Sequence, residues 1–487
     1  MIVARQGRRS FVSTLGRTGI RQLNEISVKV CRPVVPSRRR RPRAGAVGTK
    51  GELRGERIRH VKIETICVVG LGYVGLPTAA LLARAGYRVH GADVSAAVID
   101  ALSSGRCPLA ENDVAAIVDQ ALKSGNLTVG LAPVRADAYI ICVPTPVLPD
   151  RSADLSMVRA AARACAAVIE RGALVILEST SPIGTTRDVV GGELAAHGWD
   201  VNADLDICYC PERVFPGATV REILQNDRLV GGLTSRAAAR AKALYESFCE
   251  GSALTADAEV AEFSKLMENT YRDVNIALAN VFARIGEDLG VDVHDVIALA
   301  NRHPRVNVLR PGPGVGGHCI PVDPWFLINA APGPSDLLRV ARDVNDGQAA
   351  RLLDRAEAAG LARGDDVAIL GAAYRGNLDD PRESPSLAML HNLNERGYRW
   401  RIHDPFVRRL AMETGETVEV RPAIADALEG ADAAIVMTDH AEYRTLAPAV
   451  FAPMAGKLII DGHRILSERA LVEAGYQVLP IGAAKRA

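Results

Sequence analysis

Ile63-Glu-Thr-Ile-Cys-Val-Val69 runs without a break into Gly70-Leu-Gly72-Tyr73-Val74-Gly75-Leu-Pro77. The first seven residues are apolar and β-branched enough for a short strand. Three glycines within six positions then demand a tight turn, and the Ala/Leu-rich stretch to Ala85 predicts a helix. Gly86 ends that helix, and Tyr87–Ala92 predicts a second strand closing on Asp93, 18 residues after Gly75. A lone GxGxxG means little. Placed between a strand and a helix, with an acid at that distance, it is the fingerprint of a dinucleotide-binding unit. Gly70, Gly72 and Gly75 let a pyrophosphate approach backbone N–H groups at the helix N-terminus. Asp93 would hold the adenosine ribose hydroxyls and repel a 2′-phosphate, which predicts NAD over NADP. A glycine-tightened turn with no ligand is the plain alternative.

Downstream, strands are expected at Ala138–Val143, Leu174–Leu177 and Asp206–Cys210, each followed by a polar, proline-containing turn. Loops at the carboxyl ends of parallel strands are where open α/β sheets bind ligands, so Thr145 and Thr180 are candidates to line the nicotinamide side. Capping the next helix would explain either hydroxyl equally well. From Ala258 to Leu289 the pattern becomes one long helix carrying Lys265, Asn269 and Arg272 on one face. Such a stripe is usually solvated, and Glu262, Glu268 and Asp273 would make it easy to solvate. Another helix is expected from Asp336 to about Ala359, then a second α/β segment opening with Val367–Leu370. That half lacks GxGxxG, which suggests a different, phosphate-bearing ligand with Arg375, Arg382 and Arg464 as donors.

Pro311-Gly-Pro-Gly-Val-Gly-Gly-His-Cys-Ile-Pro-Val-Asp-Pro-Trp-Phe-Leu327 can be neither helix nor central strand. It predicts a fixed loop in which the backbone approaches something closely. Cys319 and Asp323 then share one small region as nucleophile and acid/base group, although a rigid inter-domain turn with an incidental cysteine fits this stretch equally well.

The chain has 487 residues, 48% apolar and 24% charged, with net charge +1. Those values suit two to four globular domains and speak against a protein built to bind nucleic acid. Nine cysteines without metal-type spacing predict no metal site and reduced thiols in a cytoplasmic protein. No apolar run reaches the length of a membrane span. Residues 1–58 differ: the first fifty hold eleven Arg and two Lys against Glu25. A disordered tail, a transit-type segment and a misassigned start compete there, and a disordered or spurious extension is preferred.

The ordered motifs Gly70–Pro77, Val143–Pro146, Glu178–Thr186, Lys265-x-x-x-Asn269, Gly316-Gly-His-Cys319 with Asp323, Arg382–Pro385 and Asp461-x-x-Arg464 resemble the UDP-glucose/GDP-mannose dehydrogenase family over residues 61–487. Members oxidise the C6 alcohol of a nucleotide sugar to a carboxylate with two NAD, in polysaccharide biosynthesis. The resemblance implies two Rossmann-like doubly wound α/β domains joined by a long central helix. The expected boundaries are 59–255 for the NAD domain, 256–360 for the central region with the Cys loop, and 361–487 for the UDP-sugar domain. Cys210–Gly217, Asn226–Gly232, Met267–Asn275 and His303–Asn307 look most like the members acting on UDP-N-acetyl-D-mannosamine. UDP-glucose enzymes tend to carry Glu where Pro216 stands.

By that resemblance Cys319 is the nucleophile and Lys265 the proton-transferring, oxyanion-stabilising residue. Asp323 and Glu212 would handle water and protons, and Asn269 would orient the intermediate. The sugar nucleotide would take Arg213, Val214, Lys265, Asn269, Arg272, Gly316, Tyr374, Arg375 and Arg464, with His303 and Arg305 reaching from a neighbouring subunit of a homodimer or larger homo-oligomer. NAD would take Tyr73, Val74, Asp93, Thr145, Thr180 and Arg382. Two departures stand out: Arg375 where Lys is common, and Gly462-His463 in place of a Thr-containing pair. UDP-N-acetylglucosamine or UDP-glucose as substrate, a single-step 3-hydroxyacid-type dehydrogenase, and a non-catalytic nucleotide-sugar binder remain open at this point.

Overall fold

A computed structural model describes residues 62–109, 111–214, 217–412 and 414–484. The extension 1–58 and Pro216 lie outside the described residues. Eight strands form the first sheet: β1 (Thr65–Val69), β2 (Arg88–Ala92), β3 (Leu127–Gly130), β4 (Ala138–Ile141), β5 (Leu174–Leu177), β6 (Asp206–Tyr209), β7 (Arg228–Gly232) and β8 (Ala253–Asp257). Their order is β3-β2-β1-β4-β5-β6-β7-β8. The run from β3 to β6 is parallel and has the doubly wound dinucleotide-binding order, while β6 and β7 pair antiparallel. β4, β5 and β6 are buried along their whole length, because helices cover both faces of a parallel sheet; that is why they read as continuous apolar runs. The expectation had no β3, β7 or β8. β3 and β8 lie at the sheet edges with one buried residue each, and β7 ends in two glycines, so none carries a strong apolar run.

The central helix spans Ala258–Leu289 as expected. Its polar residues correct the sequence reading, because Glu262, Lys265, Asn269 and Asp273 are buried rather than solvated. They sit at i, i+3, i+7 and i+11, one face turned inward. The helix expected from Asp336 to about Ala359 is two, Asp336–Asp346 and Gln348–Ala358, broken at Gly347. The break lets polar residues on both sides reach inward. Asn345 Nδ2 donates to Asp273 Oδ1 at 2.8 Å, and Gln348 Nε2 to Gly312 O at 3.0 Å.

The second sheet comprises β9 (Asp366–Leu370), β10 (Arg399–His403), β13 (Ala433–Val436), β14 (Leu458–Asp461) and β15 (Gln477–Pro480); β11 (Arg409–Ala411) and β12 (Thr417–Glu419) form a separate hairpin. Its order, β10-β9-β13-β14-β15, is all parallel. Leaving the hairpin aside, this is the other common doubly wound order, with its switch point between β9 and β13. The fold is therefore two doubly wound α/β sheets with a long central helix between them in the chain.

Candidate active site

At the switch point of the first sheet, Gly70 has φ +93° and a Cβ there would lie 2.6 Å from Cys142 O; a Cβ on Gly75 would meet Gly70 O at 1.9 Å. Both positions admit only glycine. Gly72 differs, since nothing lies within 4 Å of an added Cβ. The turn is thus held tight on one side and open where a pyrophosphate would rest, before the helix Gly75–Arg84. Asp93 Oδ2 accepts from Leu71 N–H at 2.8 Å and Oδ1 from Ser95 N–H at 2.8 Å, which aims a partly exposed carboxylate beside the turn. These residues fit NAD. Thr145 Oγ1 donates to Thr180 O at 2.5 Å, so the two loops predicted to line the nicotinamide side are joined. The Tyr73 hydroxyl is instead bound to Glu111, Thr219 and Gly217 N–H, so that side chain is engaged within the protein.

Lys265 and Asn269 point from the central helix toward the Pro311–Leu327 loop, where Asn269 Nδ2 donates to Asp323 Oδ2 at 2.6 Å. Asp323 is 2% exposed. Burial pushes its carboxyl up to about 6, against the pull of Lys265 and the Asn269 hydrogen bond. Burial likewise raises Glu212 to about 7, with Lys265 and Arg228 opposing. Cys319 feels burial and then the Asp323 carboxylate, and its thiol is pushed up to about 12 despite Lys265. A thiol, an ammonium and two carboxyls displaced toward neutrality therefore act on one another. Titratable groups with environments that shift them this far are the usual mark of acid/base chemistry.

The loop's glycines have a physical reason. A Cβ on Gly317 would lie 2.8 Å from the Tyr374 ring, and one on Gly316 2.6 Å from Glu383 O. The loop after β9 and the Arg382–Pro385 segment close directly over the cysteine loop, and Gly317 N–H donates to Arg382 O at 3.3 Å. On the other side, Arg151 stacks on the Trp325 ring at 3.9 Å, tying the loop after β4 to the helix Asp323–Ala330. Beside Lys265 opens a cleft of about 470 Å³ lined by Arg213, Val214, Asn226, Lys265, Asn269 and Arg272, among others. Arg213 is held by Glu268 through two contacts, at 2.6 and 3.1 Å.

Profiles of one family match three consecutive parts of the chain: the NAD-binding domain of the UDP-glucose/GDP-mannose dehydrogenase family at residues 64–249, its central domain at 259–347 and its UDP-binding domain at 368–468. The chain belongs to the UDP-glucose/GDP-mannose dehydrogenase family. It is similar to UDP-N-acetyl-D-mannosamine dehydrogenase of Methanocaldococcus jannaschii, 38% identical over 429 residues, which cover 87% of this chain and 97% of that one. It is also similar to NDP-N-acetyl-D-galactosaminuronic acid dehydrogenase of Ralstonia nicotianae, 42% identical over 80% of this chain and 94% of that one. Among solved structures, the UDP-D-ManNAc dehydrogenase of Pyrococcus horikoshii superposes with a TM-score of 0.79 at 38% identity, covering 87% of this chain and 100% of the other. The protein is accordingly a nucleotide-sugar dehydrogenase with NAD as cofactor, and a single-step hydroxyacid enzyme has no use for the UDP-binding domain.

In this dehydrogenase the site residues expected from sequence fall into three groups. Lys265, Asn269, Glu212, Cys319 and Asp323 come together, with Arg213, Val214 and Arg272 along the adjoining cleft and Gly316 and Tyr374 at the loop contact. Arg375 follows Tyr374 on the loop after β9. Arg382 is paired with Asp380 at 2.6 Å, and both Arg464 nitrogens are paired with Asp292 at 2.6 Å. His303 and Arg305 are exposed on the turn after the helix Val293–Ala300, and neither lines the cleft. Three residues that contact the Lys265–Cys319 cluster or its supporting loops, Glu262, Glu268 and His318, were not singled out from the sequence. Glu262 accepts from Gly184 N–H at 2.6 Å and from Thr186 N–H and Oγ1 at 2.8 and 2.7 Å, anchoring the loop that bears Thr180. Its signal was available as the inward stripe at i, i+3, i+7 and i+11. Glu268 and His318 carried no such signal.

Proposed function

We propose that the protein oxidises the C6 alcohol of UDP-N-acetyl-D-mannosamine to the carboxylate in two steps, the second at Cys319. The observation that carries this is the cluster of Cys319, Lys265, Asp323, Asn269 and Glu212 beside the Arg213-lined cleft. When bound at Gly70–Gly75, Asp93 and the Thr145–Thr180 pair, NAD accepts the hydride of each oxidation. Lys265 as ammonium stabilises the alkoxide that precedes hydride loss, an electrostatic effect commonly of about 3 kcal/mol. A free aldehyde has no second hydride to give, so Cys319 Sγ adds to its carbonyl carbon and Asn269 orients the resulting thiohemiacetal. The thioester formed next is cleaved by water, with Glu212 and Asp323 taking its protons; values near 7 and 6 suit that role.

The sugar nucleotide is read as spanning the cleft and the loop of Tyr374 and Arg375, with residues 59–255 serving NAD, 256–360 the chemistry and 361–487 the UDP end. Arg464 and Arg382 reach it by exchanging Asp292 and Asp380 for phosphate. Phe263, Met267, Tyr271, Leu278, Phe282, Ile285 and Leu289 form an exposed apolar stripe on the central helix. A second copy of the chain is the proposed cover, which would bring its His303 and Arg305 within reach of a neighbouring site. No helix among the described residues is long and apolar enough to cross a membrane. The eight described cysteines are free thiols, and the reaction is assigned to the cytoplasm, where thiols stay reduced.

The similarity to the N-acetyl-D-galactosaminuronic acid enzyme supports a second reading, an N-acetylgalactosamine nucleotide as substrate. NADH yield from UDP-N-acetylmannosamine, UDP-N-acetylgalactosamine, UDP-N-acetylglucosamine and UDP-glucose in parallel separates the readings. The expected result is highest kcat/KM with the first and two NADH per sugar. Cys319→Ala should lose the second NADH, and equal efficiency with UDP-glucose would sink the proposed specificity.

A further inference from the structure

We propose that His318 is a further catalytic residue: it takes the Sγ proton of Cys319 and passes it to solvent, so that the thiol attacks as thiolate. The inference rests on the reading of Cys319 as nucleophile. His318 Nδ1 lies 3.0 Å from Cys319 Sγ, and among the described residues it is the side chain hydrogen-bonded to that sulfur.

The need for a base follows from the surroundings of the thiol. Burial and the Asp323 carboxylate keep Cys319 protonated at neutral pH, and the Glu212 carboxylate acts in the same direction. Lys265, Asp323 and Glu212 act on the thiol through their charge, but among the described residues none of them is hydrogen-bonded to Sγ, and the two carboxyls are assigned to the later attack of water. Lys265 as ammonium has no lone pair. His318 is suited on two counts. Burial, Arg382 and Lys265 lower its imidazole from the ordinary value while Asp380 opposes, so it is neutral at pH 7 and Nδ1 can accept when Nε2 carries the proton. The segments packed around the loop desolvate the ring, yet part of the residue stays open to solvent, whereas Asp323 is buried, so a proton taken from sulfur has an exit. The Tyr374 ring against Gly317 and the Asp380–Arg382 pair complete the groups packed around the loop.

The step balances. The Sγ proton moves to Nδ1, the C–S bond forms at the aldehyde carbon, and the carbonyl π pair moves to oxygen, which takes a proton from Lys265. The imidazolium releases its Nε2 proton to solvent. The hydroxyl proton returns to Lys265 as hydride is lost to NAD. Water then attacks the thioester, its proton passing to Glu212 or Asp323, and sulfur departs as thiolate and is reprotonated through the same imidazole.

His318→Asn and His318→Gln keep a hydrogen-bonding group but cannot titrate, and the exposed position tolerates both. In the full-length protein, alkylation of Cys319 by iodoacetamide, followed on its peptide by mass spectrometry between pH 6 and 10, should slow at least about tenfold at pH 7 and shift its pH profile upward. The second oxidation should slow about 100-fold, the low end of what a positioned base contributes, with partial rescue by added imidazole. The first NADH per sugar serves as internal reference. Alkylation and second-step rates within twofold of wild type in both variants would overturn the inference. Two NADH per sugar from Cys319→Ala would overturn the underlying reading of the reaction instead, so the two failures are told apart.

Discussion

Gly70 closes β1 and Gly371 closes β9, both with positive φ, +93° and +107°. Gly70 N–H donates to Ala92 O and Gly371 N–H to His403 O, each at 2.8 Å. The following N–H groups, of Leu71 and Ala372, bond the acid that ends the neighbouring strand, Asp93 at 2.8 Å and Asp404 at 2.7 Å. Up to this point the two switch points are built alike. They part in what else the acid holds. Asp93 is partly exposed and its other oxygen accepts from Ser95 N–H. Asp404 is fully buried and accepts in addition from Ala373, Phe406 and Val407 N–H and from His440 Nε2, while His440 Nδ1 accepts from Asn377 N–H. One acid is left open to a ligand; the other braces the loop that carries Tyr374 and Arg375. The same topology thus serves a cofactor with its acid and a second ligand with its loop.

The largest expected effect comes from removing the braced acid. Asp404→Ala strands several buried donors and should cost about 3–5 kcal/mol, against about 1 kcal/mol for Asp93→Ala, both measured by urea unfolding. Equal losses would break the comparison.

Acid titration sharpens it. Burial would raise Asp404, but His440 and the backbone N–H groups hold it at about 2. A carboxylate depressed in the folded state stabilises fully above its unfolded value near 4, and that stabilisation, about 2 kcal/mol, is lost as pH falls from 4 toward 2. Asp404→Asn should show a shallower loss over that window than wild type. Asp323 has the opposite sign: raised to about 6, its cost to stability grows as pH climbs from 4 through 6, and Asp323→Asn should remove that decline.

Smaller still is the effect of the open acid on binding. Asp93→Asn should raise KM for NAD about tenfold, equivalent to about 1.4 kcal/mol, and narrow discrimination against NADP, with thermal unfolding nearly unchanged. The smallest stability change belongs to Gly72→Ala, under about 0.5 kcal/mol because its Cβ meets nothing within 4 Å, although calorimetry should find NAD bound more weakly. Gly376→Ala in the second sheet should destabilise clearly more, since its Cβ would lie 2.5 Å from Asp439 O.

By itself the sequence determined what short-range chemistry encodes. The glycine spacing at 70–75 with Asp93, the uninterrupted apolar strands, the span Ala258–Leu289 and the irregular loop up to Val322 follow from local backbone freedom and periodicity and are present in the structure. Asp323–Leu327, expected to belong to that loop, instead opens the helix Asp323–Ala330, because Pro324 falls in its first turn, where a missing N–H costs nothing. Tertiary structure alone decided which polar groups lose water. Glu262 and Asp273 read as solvating charges until the sheet and the helix Asp336–Asp346 covered them, and Arg464 read as a free donor until Asp292 met it. The loop that carries His318 and Cys319 lies so close to Tyr374 and Pro385 that a Cβ on Gly314, Gly316 or Gly317 would press on them. The charge a side chain can bear depends on what is packed against it, and for these residues that packing comes from segments distant in the chain.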